Sequence, residues 1–346
     1  MNVLVCGAGH QGITMAGHLA FCGHQINLWN RSKDHIKTLM ENKTISLNGI
    51  VSGTSKPEKI SADMKDVITD FVMVTTPSSA HRDIAETIAP YVHKDMVIVL
   101  NPGRTFGAIE FAQTLTECGV KELPHIAETQ TIIYTCRRMD ETSVKIYAIK
   151  NDVKIASVRG DDMDYIISKI PECIRGNFTP VKSVALTSFS NVGMILHCAP
   201  VLMNIGWIET EKADFKYYYD GISQSVAGIL EKMDAERIAV AKKFGCKIES
   251  VKDWLNRTYS AGGESIYECI RNNNTYSEID APRSIECRYI YEDVPNGLVP
   301  IEYLGRELGV ATPTITMIID LACAVTDYDF RENGRRFDEE TLKRYF

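Results

Sequence analysis

Beyond His125 this chain has a single histidine, His197 in the stretch "ILHCAP", although seven others come earlier. Acid–base chemistry near neutral pH therefore has one imidazole to draw on in the rest of the sequence. No block of basic residues interrupts a net charge of −7, which argues against nucleic acid or an anionic membrane surface as the main partner. The longest nearly apolar stretch, Val192 to Trp207, is short for a bilayer and contains His197, Pro200 and Asn204, so no transmembrane helix is expected. The opening "MNVLVCG" reads as a strand and lacks the charged and then apolar segments of a secretion signal, which gives an expected cytoplasmic location. The ten cysteines are scattered, and no two are separated by only two residues, so they read as reduced thiols and no metal is expected. Internal repeats and low-complexity linkers are also missing.

What is present is enough for a sizeable core. The chain has 346 residues, 45% of them hydrophobic, which points to two domains. The first half alternates short β-branched runs with helical patterns: "VLVC", then Gln11 to Phe21, then "INLW", then Lys33 to Met40. "FVMVTT" and "MVIVLNPG" continue the rhythm, each followed by a helical pattern, at Ala80 to Ile88 and Ala108 to Leu115. That is the grammar of an α/β fold with a parallel, doubly wound Rossmann-type sheet. "ISLNGIVS" reads as a hairpin with Asn48-Gly49 at its turn, an ornament on the sheet. From about Ser183 the pattern changes to long helices, so an all-helical C-terminal domain over 183–346 is expected to follow a nucleotide-binding domain over 1–182. The clearest helix runs from Ser223 to Phe244, with Val226, Leu230, Met233, Val240 and Phe244 as its apolar stripe and Gly245 as its stop.

Gly7-Ala8-Gly9-His10-Gln11-Gly12 follows the first strand and opens a helix, the context that the GxGxxG pattern needs. Gly7 makes the tight turn, Gly9 admits a pyrophosphate and Gly12 lets helix and sheet approach, with His10 and Gln11 on the same turn. A dinucleotide cofactor follows. Its kind depends on the end of the second strand, where an NAD enzyme usually places a carboxylate on the ribose. This chain has Asn30-Arg31-Ser32 there. Arg31 can pair with a 2′-phosphate, which favours NADP(H); the alternative is a solvated Arg31, with Asn30 alone holding the ribose of NAD(H). Pro77 and the loop Asn101-Pro102-Gly103 lie at the carboxyl ends of later strands, either shaping the nicotinamide side or serving as ordinary turn residues. A lone histidine on an apolar helix such as His197 reads on its own as a satisfied core residue or as an acid–base group.

The glycine turn, "NPG", "AETQTIIYTCR", "HCAP", "YYYDGISQSV", "DAERIAVAKKFG" and "RYIYEDVPNGLVP" together resemble the opine dehydrogenases of the octopine and nopaline type, from the first strand to about Asp329. The resemblance implies an oxidoreductase acting on CH–NH donors. Such enzymes join a 2-oxo acid, often pyruvate, to an amino acid and reduce the resulting imine with NAD(P)H. It also implies that His197 is the catalytic histidine, Asp293 its acidic partner, Arg288 the holder of the oxo-acid carboxylate and Thr129 a residue near the substrate. The chain departs from many members in lacking the acid after the second strand and in having Gln224 where a proline is common. Small-molecule 2-oxo acid and amino acid substrates are thus the expected partners, with a homodimer as the expected assembly.

Two other readings compete. A ketopantoate-reductase-like or glycerol-phosphate-dehydrogenase-like reductase also puts helices after a Rossmann fold, but those relatives resemble one another in using a lysine from the first helix of the second domain. Here Lys182 precedes that helix and His197 lies inside it. A cofactor-binding sensor without turnover would need no His/Asp/Arg set.

Overall fold

The structure, a computed structural model, describes residues 1–210 and 214–345. The chain divides into two compact units, one comprising Met1–Ser188 with the C-terminal end, the other Phe189–Arg344. The break falls later than the expected 182/183 boundary because Thr187 and Ser188 donate their hydroxyls to the buried carboxylate of Glu128, at 2.7 and 2.6 Å.

Twelve strands form two sheets in the first unit: β1 Asn2–Cys6, β2 Gln25–Trp29, β3 Ile45–Gly49, β4 Gly53–Ser55, β5 Lys59–Ser61, β6 Phe71–Val74, β7 Val97–Leu100, β8 His125–Thr129, β9 Tyr134–Arg138, β10 Ser143–Ile149, β11 Val153–Ser157 and β12 Phe178–Pro180. The larger sheet runs β12-β11-β8-β7-β6-β1-β2-β5. Its six strands from β5 to β8 are parallel, and the order reverses between β1 and β6, the switch point at which such sheets bind ligands. The last two strands extend it differently: β11 pairs antiparallel with β8 and carries β12 beside it. The central runs "VLVC", "FVMV" and "VIVL" are buried throughout, as strands covered on both faces must be.

The hairpin around Asn48-Gly49 is more than an ornament. β3 and β4 pair with one another, and β3 also pairs in parallel with β10, giving a second sheet of order β4-β3-β10-β9. Asn48 and Gly49 belong to the strand rather than to the turn: Gly49 lies opposite Ile146 with φ +100°, and a Cβ there would stand 2.1 Å from the Ile146 carbonyl oxygen. This sheet covers the helix His10–Phe21, whose "GITMAGHL" is buried on all sides. His18 on that helix meets the Tyr134 hydroxyl of β9 at 2.9 Å, and burial pushes its pKa below the usual histidine value.

The second unit is helical. Helices Gly193–Met203 and Pro313–Thr326 pack on the long helix Gln224–Lys243, with the short helices Val251–Tyr259, Ile266–Arg271, Arg288–Tyr291 and Val299–Glu307 around them. The long helix buries Leu230, Met233 and Val240 of the expected stripe, and also Asp234 and Arg237. These two charges form an ion pair at 2.6 Å; Arg237 also donates to the Phe189 carbonyl, and Asp234 accepts the N–H of Val251 at 2.8 Å. The pair thus ties three segments together and satisfies its own buried charge. Ser223 caps the helix by accepting from Val226 N–H, and Gln224 is exposed at the first helical position, where proline is favoured for its fixed φ.

Val184–Met203 has the length and apolarity of a membrane span, longer than the Val192–Trp207 stretch suggests, but its most apolar window is 94% buried inside the protein. It serves as core. No other helix among the described residues is long and apolar enough to cross a membrane. All ten cysteines are free of disulfides.

A buried acidic residue offers a stability test. Glu302 is 2% exposed, accepts from Arg331 at 2.7 and 2.8 Å and from the Thr316 hydroxyl at 2.8 Å, and forms an ion pair with Arg306 at 2.9 Å. Burial alone pushes its pKa up, but the hydrogen bonds from Arg331 and Thr316 and the charges of Arg331 and Arg306 outweigh burial and hold it below the usual glutamate value of 4.5. A pKa lowered in the folded state adds stability that is present above the unfolded value and lost as pH falls through the folded one. Glu302→Gln is expected to lower stability by roughly 2 kcal/mol at pH 7. The gap between variant and wild type should close on acidification, which melting curves between pH 7 and 3 would show.

Candidate active site

Two sets of groups stand out, one in each unit. In the first, β1 ends at Cys6 and the chain turns at Gly7, with φ +106° and its N–H donating to the Trp29 carbonyl at 2.8 Å. A Cβ on Gly12 would stand 1.8 Å from the Gly7 oxygen, so the helix can begin this close to the turn only without a side chain there. Gly9 differs: nothing lies within 4 Å of where its Cβ would be. It caps the helix His10–Phe21 without any side-chain hydrogen bond, leaving the first amide N–H groups to an anion. The open space and uncapped helix end fit a dinucleotide pyrophosphate.

Around this turn the expected residues divide by what they touch. Asn30 Oδ1 accepts the Ala8 N–H at 3.1 Å while its Nδ2 donates to the Ser32 carbonyl, so it clamps the turn. Arg31 is exposed and paired with Asp83 at 2.6 Å. His10 Nδ1 accepts the Arg138 N–H at 3.1 Å, and Gln11 Nε2 donates to the Tyr134 carbonyl at 3.4 Å; both thus reach toward β9. Pro77 is exposed just beyond β6. Asn101 and Pro102 join through a cis peptide bond at the end of β7, and Gly103 N–H donates to the Thr129 carbonyl at 3.2 Å. A Cβ on Gly103 would stand 2.3 Å from Glu128 Oε2, which explains the glycine. Thr129 is fully buried, with its hydroxyl donating to the Thr131 carbonyl at 2.9 Å, so its side chain is committed to the backbone beside Asn101. Gln11 Oε1, Thr76 Oγ1 and Asn101 Nδ2 are buried without partners. Such leftover polar groups are costly unless something pairs with them, which again fits a bound cofactor.

In the second unit, the helix Gly193–Met203 buries His197 to 9% exposure, and its Nδ1 lies 2.7 Å from Asp293 Oδ2. Asp293 is itself buried and leads a turn closed by Leu298 N–H donating to the Asp293 carbonyl, one residue wider than an α-helical turn. Turn chemistry and pairing with His197 therefore coexist in one residue.

Pro200 has no N–H to give the Leu196 carbonyl, and the Tyr217 hydroxyl fills that role, at 3.3 Å from Leu196 O and 2.6 Å from His197 O. The Tyr289 ring stacks on the imidazole at 4.1 Å with an 18° interplanar angle. Arg288 lies beside it, its guanidinium carbon 5.5 Å from the Tyr289 ring centre, and its contact with the Glu292 carboxylate at 3.8 Å is too long for a hydrogen bond. Burial pushes the Tyr217 and Tyr218 phenols well above their usual pKa, so they stay protonated.

Tyr217 and Tyr289 are not singled out by the sequence. The two tyrosines lie within "YYYDGISQSV" and "RYIYEDVPNGLVP", but nothing local says which of several tyrosines reaches the histidine.

A Rossmann sheet with a dinucleotide turn, joined in one chain to a helical unit holding a buried His–Asp pair, defines an NAD(P)-dependent oxidoreductase. A family model described as "NAD/NADP octopine/nopaline dehydrogenase, alpha-helical domain" matches residues 180–326. One described as "Ketopantoate reductase PanE/ApbA" matches residues 3–112. The opine dehydrogenase of Arthrobacter sp. (strain 1C) is 34% identical over 340 residues, covering 97% of this chain and 93% of that protein. The chain belongs to the opine dehydrogenase family, oxidoreductases acting on CH–NH donors.

Solved structures agree on the fold. An octopine dehydrogenase in complex with NADH and agmatine matches with a TM-score of 0.78 at 18% identity, covering 100% of this chain and 95% of that one. A yersinopine dehydrogenase bound to NADP+ matches with a TM-score of 0.76 at 13% identity, covering 99% and 95%.

Proposed function

We propose that the protein uses NADPH to join a short, pyruvate-like 2-oxo acid to the amino group of an amino acid. In this reading His197 is the acid–base group, Asp293 its partner, and Arg288 the seat of the oxo-acid carboxylate. The observation that carries the reading is the buried 2.7 Å contact between His197 Nδ1 and Asp293 Oδ2.

The amine must lose a proton before it attacks the carbonyl carbon, and the carbonyl oxygen must gain protons to leave as water. Asp293 holds Nδ1, so Nε2 is the nitrogen that takes the first proton and returns it. The buried carboxylate fixes the tautomer and stabilises the imidazolium between these steps. The Tyr217 hydroxyl holds the helix backbone at His197, where Pro200 leaves a carbonyl without its helical donor. Arg288 offers a planar fork to the oxo-acid carboxylate and fixes which face of the imine is presented. When bound, the reduced nicotinamide would supply the hydride which, together with one proton, reduces the imine to a secondary amine.

The preference for NADPH rests on the chemistry after β2. Asn30 stands where a carboxylate would repel a 2′-phosphate, and the solved yersinopine dehydrogenase carries NADP+. The Arg31–Asp83 pair is exposed, so breaking it costs at most about 1 kcal/mol, less than the roughly 1.5 to 3 kcal/mol of a charge-assisted phosphate contact. Arg31→Ala is expected to raise the Michaelis constant for NADPH roughly 10-fold or more and leave that for NADH almost unchanged. Asp83→Asn should tighten NADPH. Equal effects of Arg31→Ala on both cofactors would sink the phosphate assignment.

The decisive experiment is NADPH oxidation with pyruvate and a panel of amino acids, followed by mass spectrometry of the product. A product containing both carbon skeletons supports the proposal. Oxidation with the oxo acid alone would make it a simple keto reductase, and binding without turnover would make it a sensor.

A further inference from the structure

We propose that Arg138 and His35 complete, with Arg31, the seat of the cofactor 2′-phosphate, so that Arg138 is a specificity-determining residue for NADP(H). The inference rests on the NADPH reading above and deepens it. Ala8, in the middle of the glycine turn, is held from both sides. Its N–H donates to Asn30 Oδ1 at 3.1 Å, and its carbonyl accepts from Arg138 Nη1 at 3.3 Å and lies 3.1 Å from His35 Nε2. Asn30 occupies the position from which a carboxylate would hold the ribose. The groups that meet at Ala8 therefore ring the edge of the ribose site, on which a 2′-phosphate would project.

The charge on Arg138 is what the arrangement leaves unmatched. Its Nε donates to the Asp140 carbonyl at 2.8 Å, its Nη2 to the Glu141 carbonyl at 3.0 Å, and its Nη1 also meets His35 Nε2 at 2.9 Å. These partners are backbone carbonyl oxygens and an imidazole nitrogen, with no carboxylate among them. The two nearby carboxylates turn elsewhere: Asp140 accepts from Thr142 N–H at 2.8 Å and from the Ser143 hydroxyl, and Glu141 accepts from the Thr38 hydroxyl. Among the described residues no carboxylate pairs with this guanidinium. Its donors are oriented by backbone carbonyls, a way of aiming a cation without neutralising it. An arginine fixed by β9 and reaching the glycine turn from the second sheet also gives that sheet a part in cofactor choice.

The competing role is a staple between β9 and the glycine turn, and fragment binding separates the two. Calorimetric titration of the full chain with 2′,5′-ADP and with 5′-AMP would be run on wild type, Arg138→Gln, Arg138→Lys and His35→Gln. The proposal expects wild type to prefer 2′,5′-ADP. Arg138→Gln should then lose roughly 10-fold or more in affinity for 2′,5′-ADP and less than about 2-fold for 5′-AMP, with Arg138→Lys in between. His35→Gln should shift the same ratio in the same direction, a second route if Arg138→Gln folds poorly. Equal losses on both fragments would make Arg138 a staple, and no loss on either would remove it from the site; each overturns the proposal. A wild type that binds the two fragments equally would overturn the NADPH reading itself, which is a different failure.

Discussion

His197→Gln is expected to keep the fold, the melting temperature and NADPH binding nearly intact while turnover falls roughly 100-fold or more. Glutamine retains much of the volume and can still donate toward Asp293, so the 2.7 Å contact has a substitute, whereas no proton can be exchanged at the position of Nε2. Asp293→Asn should lower turnover through the same group, because the tautomer loosens and the imidazolium loses its counter-charge. Residues that act as one unit are not additive, so the double variant should be little worse than His197→Gln alone. Single-turnover kinetics alongside melting curves would decide it. A histidine needed only for packing would show lost stability with activity per folded molecule preserved, and a double variant whose losses multiply would separate the two residues.

The legible parts of this chain are those encoded within a few neighbouring residues. Gly7, Gly9 and Gly12 are legible because a strand, a positive-φ turn and a helix start must follow one another over six positions, and each glycine answers a different steric demand there. The second sheet was not legible. β3 pairs in parallel with β10 about a hundred residues later, and no local pattern announces such a partner. The available sign that something besides the main sheet covers that helix is that "GITMAGHL" contains no Asp, Glu, Lys or Arg and so offers no charged face to solvent.

The same distinction holds within the sites. Asn30, which clamps the glycine turn, is legible because it follows β2 directly, while Arg138 reaches the same turn from β9. In the helical unit, the apolar stripe marked Leu230, Met233 and Val240 for burial, but it could not show that Asp234 and Arg237 are buried with them as a self-satisfied pair. Asp293 carries two roles at once. Its neighbours read as a turn, which they form, and only the resemblance singled out the carboxylate that meets His197.

Arg288→Met is expected to raise the Michaelis constant for the oxo acid roughly 10- to 150-fold, the equivalent of about 1.5 to 3 kcal/mol for a lost charge-assisted contact, while NADPH affinity holds within about 2-fold. Two features of the residue support so specific an effect. Its side chain is 53% exposed on the short helix Arg288–Tyr291, and its nearest carboxylate, Glu292, stands 3.8 Å away, so the fork is not spent on an internal bidentate pair. Methionine keeps the length and the packing against Tyr289 but has no donors. Arg288→Lys should fall between the two, since an ammonium restores the charge as a point and not the planar geometry that orients a carboxylate. Steady-state kinetics with the oxo acid varied, together with a titration of NADPH fluorescence, reads both effects. If NADPH binding fell as far as oxo-acid binding, Arg288 would be supporting the fold around Tyr289 and His197, and the carboxylate would need another seat.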